Sequence, residues 1–161
     1  DISWGMLAAA RTLNSVSLVQ GNALRLPFAD NAFDVTAFIT TLEFLASPRH
    51  ALVEALRVAR HGIILGVLNR WSFLGLQRRL AGLFRPTLYD AAHFYGVGEL
   101  KRLLASVAAS RSHIIIWRTT LLGLSSLFPH AWPWISMPLP WGGFIGMALV
   151  FSPLTGTENE R

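Results

Sequence analysis

The chain has 161 residues, 52% hydrophobic and 14% charged, with a net charge of +5 and no cysteine. That length holds one domain with a proper core, that composition excludes a disordered chain, and the lack of thiols excludes a disulfide framework or a thiolate metal site. The positive charge comes almost wholly from scattered arginines and reads as a basic surface: nucleic acid is not expected as a partner, and peripheral contact with an anionic membrane stays open.

Taken in order, Ser3 is a fair N-cap, and Met6, Leu7, Ala10 and Leu13 recur at helical spacing after it. Residues 16–19 read as a short strand. Gly21-Asn22 is a strong turn signal. Leu26-Pro27-Phe28 forms an apolar wall, and Asp30-Asn31 turns the chain again. Residues 35–40, VTAFIT, form a short β-rich run of the kind buried on both faces of a parallel sheet. Residues 40–44, TTLEF, then stand at the carboxyl end of that strand, where open α/β sheets bind ligands.

Ser47-Pro48 opens a helix as N-cap and first-turn proline, with Leu52, Ala55, Leu56 and Ala59 as its buried stripe. Glu54 and Arg57 lie one turn apart and are placed to pair. Gly62 reads as the left-handed cap ending this helix, with His61 exposed beside it. Residues 63–68 follow as a buried strand, and residues 69–72 leave it at the ligand-binding edge. Residues 73–84 are amphipathic, which fits a lid, an ordinary packed helix or a membrane-surface helix. Residues 90–95, DAAHFY, have the mixed character of a pocket-lining loop; His93 and Tyr95 there either contact a substrate or serve structure alone.

Leu100, Leu103, Leu104, Val107 and Ala108 give the cleanest helical stripe in the chain. Residues 113–117 read as a strand, and residues 144–151 as its antiparallel neighbour. Residues 128–141 carry three tryptophans and four prolines and little charge, an apolar flap over a substrate or partner. No internal repeat or second domain is visible, so residues 1–161 are expected to form a single, partial domain, with a lid or insert at 71–96 and the aromatic flap at 128–143. No secretory signal stands at the start, and no apolar run reaches the ~18–20 residues that a membrane span needs. A cytoplasmic protein is the expectation.

The block GNALRLPF…FD, followed by LEF and then EALRVARHGIILG, resembles the class I S-adenosylmethionine-dependent methyltransferases, within them the ubiquinone/menaquinone methyltransferase group. The resemblance covers most of residues 1–70 and is weaker beyond. It implies an α/β, Rossmann-like sheet of order 3-2-1-4-5-7-6, with the last strand antiparallel to the rest, and S-adenosylmethionine as cofactor. It implies that Asp1, with Ile2, closes a strand and takes the ribose hydroxyls, since a carboxylate accepts two hydrogen bonds from a vicinal diol. The residues alone leave a solvated terminal Asp1 open. Asn22, where the family has Asp, with Ala23 and Leu24, would face the adenine; the pair Gly21-Asn22 is also explained as a turn. Thr40 would stand at the crevice mouth, and Trp71, His93 and Tyr95 toward the methyl acceptor.

Methyl transfer from a sulfonium needs positioning and exclusion of water more than a protein nucleophile. Accordingly no catalytic residue is assigned, and His93 is the one base worth naming should the acceptor have to lose a proton. The apolar flap and lid point to a small hydrophobic acceptor. Two readings compete with the enzyme: a methyltransferase-like partner-binding module without catalysis, to which Asn22, Phe44 and the missing glycine-rich loop would belong, and a membrane-surface protein. Nothing of the form E-x-G-x-G-x-G occurs in the sequence. The resemblance therefore implies a sheet truncated at its amino-terminal side, with a gap of about two strand spacings, ~10 Å at ~4.8 Å per strand. An amino-terminal segment of ~40 residues or more, or a second chain, is expected to fill it, and residues 1–161 alone are expected to bind cofactor weakly.

Overall fold

The computed structural model describes residues 1–13, 16–72, 92–108, 112–120 and 136–151. In chain order these form α1 (Trp4–Ala10) with a 3-10 turn at Arg11–Leu13, β1 (Phe33–Ile39), a 3-10 turn at Leu42–Phe44, α2 (Pro48–Val58), β2 (Ala59–Leu68), α3 (Val97–Ala108), β3 (His113–Thr120), β4 (Ser136–Met137) and β5 (Phe144–Phe151). The five strands make one sheet of order β1-β2-β5-β3-β4. β1 and β2 run parallel, and β5 is antiparallel to both β2 and β3. With β1 taken as strand 4 of the expected order, β1-β2-β5-β3 reproduces its 4-5-7-6 half.

Period-2 alternation decides which side chains enter the core. Ile63, Leu65 and Val67 of β2 and Ile145, Met147 and Leu149 of β5 point to one face. There they meet Leu52, Ala55 and Leu56 of α2 and Leu100 and Leu104 of α3. Burying each of these leucines stabilises the fold by about 1.5–3 kcal/mol. Their alternates, Ile64, Val150, Ile114 and Ile116, stay exposed on the opposite face. α1 begins as its sequence dictates, with the Ser3 hydroxyl accepting the Met6 N–H at 3.3 Å.

Four expectations are corrected. Residues 16–19 form no ladder: among the described residues the segment pairs with no strand, and one hydrogen bond, from the Asp1 nitrogen to the Val19 carbonyl, holds it to Asp1. β1 is not buried on both faces. Among the described residues it pairs with β2 alone and is covered by α2 on one side, and Phe38 is its buried residue. Ser47 precedes α2 without capping it, since its hydroxyl bonds His50 Nδ1 at 2.7 Å. Gly62 does not end α2. The helix stops at Val58 and β2 starts at once at Ala59.

Gly62 instead sits at a bulge. Phe33 and Val35 pair with Ala59 and Gly62, so three steps of β2 span two of β1. It adopts φ +154°, and a Cβ there would strike the Leu149 carbonyl oxygen. Within the expected flap at 128–143, Ser136–Met137 join the sheet beside Thr119 and Thr120 as the short strand β4. The rest of that segment up to residue 135, and residues 73–91 of the expected lid, lie outside the described residues.

Candidate cofactor site

Residues 19–30 are shaped by an ion pair on α2. The Arg57 guanidinium reaches Glu54 at 2.9 Å, one turn away, and Asp30 at 2.7 Å. It also donates to the carbonyls of Phe28 and Leu26, at 2.8 and 3.2 Å. Glu54 in turn accepts the Leu26 N–H at 3.0 Å. Five planar donors on one side chain suit such a hub. The Arg57 hydrogen bond, ahead of the opposing effect of burial, holds the Glu54 carboxyl below its usual range, and Glu54 and Asp30 push the guanidinium up.

The loop so held lies beside the amino terminus. The Gly21 N–H donates to the Asp1 carbonyl at 3.0 Å, and the Asp1 ammonium to the Val19 carbonyl at 3.1 Å. Gln20 Nε2 donates to the carbonyl of Ile2 at 3.2 Å. Asp1 Oδ1 accepts the Ser3 N–H at 2.8 Å, which leaves its second carboxylate oxygen at an exposed position. Asn22 Oδ1 accepts the Leu24 N–H at 2.9 Å and so closes its own turn. Its amide nitrogen is a donor at the exposed rim, and the oxygen retains a second lone pair.

A cavity of about 510 Å³ runs from this junction along β1. Asp1, Ile2, Asn22 and Ala23 line its polar end, and Leu26, Phe28 and Phe38 its apolar wall. Of the residues singled out in the sequence, the structure thus brings four together across 20 positions or more. Leu24 turns away and packs against the core. Thr40 sits at φ 45° with its N–H on the Gly66 carbonyl at 2.7 Å; its neighbour Thr41 lines the cavity instead. Phe38, Thr41 and Leu45 were not singled out as site residues. For Phe38 the signal was present in the period-2 phase of β1.

Trp71, His93 and Tyr95 are not among the lining of this cavity. Trp71 is 68% exposed, its N–H on Asn69 Oδ1 at 3.1 Å. His93 Nε2 lies 2.7 Å from Glu99 and 3.2 Å from Arg70, and Arg70 also pairs with Glu99 at 3.0 Å. Tyr95 is buried at 3% exposure, its hydroxyl directed to the Leu42 carbonyl at 3.4 Å. Burial, then the charges of Glu99 and Glu43, push that phenol up to about 12. Among the described residues no cluster of metal-ligating side chains and no helix able to cross a membrane is present.

Comparison with known proteins fits this geometry. Residues 1–66 match the methyltransferase domain family. The ubiquinone/menaquinone biosynthesis C-methyltransferase UbiE of Roseobacter denitrificans is 32% identical over 103 residues, 64% of this chain and 37% of that protein. A demethylmenaquinone methyltransferase of Paenarthrobacter aurescens is 41% identical over 63 residues, 38% of this chain and 25% of that protein. The chain thus spans well under half the length of these curated relatives. A solved Thermotoga maritima S-adenosylmethionine-dependent methyltransferase, described as a possible histamine N-methyltransferase, superposes with a TM-score of 0.76 at 26% identity, covering 94% of this chain and 72% of that one. The magnesium protoporphyrin IX methyltransferase of Synechocystis PCC 6803, solved with bound S-adenosylhomocysteine, has the same fold, with a TM-score of 0.61 at 14% identity over 94% of this chain and 62% of that one. The chain has the strand order and fold of the class I S-adenosylmethionine-dependent methyltransferases, and its residues 1–66 match the methyltransferase domain.

Proposed function

We propose that the protein carrying this chain methylates a small hydrophobic acceptor, and that residues 1–45 hold the nucleoside half of the cofactor. The convergence of Asp1 and Asn22 on one cavity carries this reading. The residues present fit that half of the ligand. Asp1 offers a carboxylate oxygen to a vicinal diol, a charge-assisted contact. Asn22 offers an amide to the edge of a purine, and Leu26, Phe28 and Phe38 an apolar wall to its face.

When bound, S-adenosylmethionine supplies a methyl group activated by its sulfonium. The chain's own residues then orient and desolvate. Asp1 fixes the sugar, the 21–24 turn fixes the base, and the Arg57 hub keeps that turn in register with α2. The acceptor approaches across the carboxyl ends of β1 and β2, past Phe44 and Trp71, both exposed. The similarity to quinone C-methyltransferases supports an apolar, ring-bearing acceptor whose own carbon is the nucleophile. Such an acceptor fits a site to which no protein base has been assigned.

Calorimetry with S-adenosylhomocysteine tests the cofactor side on the protein carrying this chain. Asp1→Ala and Asn22→Ala should each weaken binding. Unchanged affinity in both variants would remove the cradle from these residues.

A further inference from the structure

Glu43 is buried at 1% exposure in the turn that follows β1. Its Oε1 accepts the Leu68 N–H at 2.8 Å. Its main-chain carbonyl accepts the His93 N–H at 2.8 Å. Its Oε2 has no partner, and among the described residues no cation pairs with it. Leu68 ends β2 just before the turn bearing Trp71, and His93 stands just before α3. One residue therefore ties the crevice mouth to both stems of the chain between β2 and α3, with the Tyr95 hydroxyl on the neighbouring Leu42 carbonyl as a further tie.

A carboxylate in this position would be a buried anion held by main-chain N–H donors alone, with one oxygen bare. A neutral carboxyl carries a far smaller desolvation penalty there. The charged or titratable groups on the surrounding elements do not change this. Arg70, after β2, is committed to Glu99 and to the Phe94 carbonyl. His93 bonds Glu99 of α3, Tyr95 is held neutral by burial, and His50 of α2 bonds Ser47.

We infer that Glu43 is a pH-sensitive latch: neutral, it pins the turn after β1 to the stems carrying Trp71 and His93, and its ionisation releases them. Burial, ahead of the opposing backbone hydrogen bonds, pushes this carboxyl above its ordinary value of 4.5. The unfolded chain ionises first, so the latch weakens as pH rises from about 4.5 through the raised folded value. The inference concerns the chain's own hydrogen bonds and does not rest on a bound cofactor.

Two measurements test it. Amide-exchange protection of Leu68 and His93, corrected for intrinsic exchange, should fall between about pH 5 and pH 9 in the wild type. The core amide of Leu149 should keep its protection. In Glu43→Gln, which keeps the shape and cannot ionise, the dependence at Leu68 and His93 should vanish. The same fall in the variant would overturn the latch. Should the variant not fold, NMR titration of the Glu43 side-chain carbon in the wild type decides. A midpoint above the ordinary carboxylate range upholds the inference, and one at or below it defeats it.

Discussion

The Gly21 N–H donates to the carbonyl oxygen of Asp1 at 3.0 Å, joining main chain to main chain across 20 positions. This contact sets the Asp1 carboxylate beside the 21–24 turn. Replacing that carboxylate leaves the main-chain bond intact, so Asp1→Ala should fold normally. It should lose affinity for S-adenosylhomocysteine by about 1.5–3 kcal/mol, the worth of hydrogen bonds to a charged group. Asp1→Asn, an acceptor without charge, should fall between. Titration calorimetry on the three proteins checks the order.

Asn69 is fully buried, and its amide donates to the carbonyls of Pro140 and Gly142 at 2.6 and 2.7 Å. Its Oδ1 accepts the Trp71 N–H. One side chain thus fastens the turn before β5 to the turn after β2. Asn69→Ala would strand three main-chain groups and should cost about 2–4 kcal/mol. Asn69→Asp should be worse, because a carboxylate cannot donate to two carbonyls. Denaturant unfolding gives the comparison.

Gly62→Ala should be among the most damaging single-atom additions to the sheet. The new Cβ would meet the Leu149 carbonyl oxygen at a backbone angle that side chains rarely adopt. A loss of more than about 3 kcal/mol is expected. Gly98→Ala, with open space around its Cβ, is the matched control and should be neutral or mildly stabilising. Thermal midpoints of the two variants decide.

The hub at Arg57 predicts an acid-side weakness. Glu54 is held below its usual range by Arg57, so the stability it adds is complete above about 4.5 and is lost as pH falls through its lowered value. Arg57→Lys should not restore the loop, since an ammonium cannot serve two carboxylates and two carbonyls at once. Limited proteolysis between residues 21 and 31 should rise in Arg57→Lys, and in the wild type at acid pH. Equal protection under both conditions would contradict the hub.

The local elements were legible in the sequence because they follow from local rules. Ser3 caps a helix because its hydroxyl lies in reach of its own third neighbour, and Leu100 and Leu104 share a face because a helix repeats every 3.6 residues. The family half-sheet came from the order of motifs. Gly62 was misread for a physical reason: a glycine near a helix end signals a cap and a bulge alike, and only the register against Phe33 and Val35 tells them apart. Likewise TLEF gives no sign that Glu43 is buried without a cation, since its partners lie 25 and 50 positions away.

By itself, then, the sequence determined most of the elements, the faces its helices turn to the core and a family resemblance over most of residues 1–70. The tertiary structure alone decided that Asp1, Asn22 and Phe38 share one cavity, that His93 is engaged by Glu99, and that Asn69 and Glu43 each hold two turns together. Periodicity and capping act over a turn of chain, whereas burial and unpaired donors are settled by segments that meet only after the sheet has assembled.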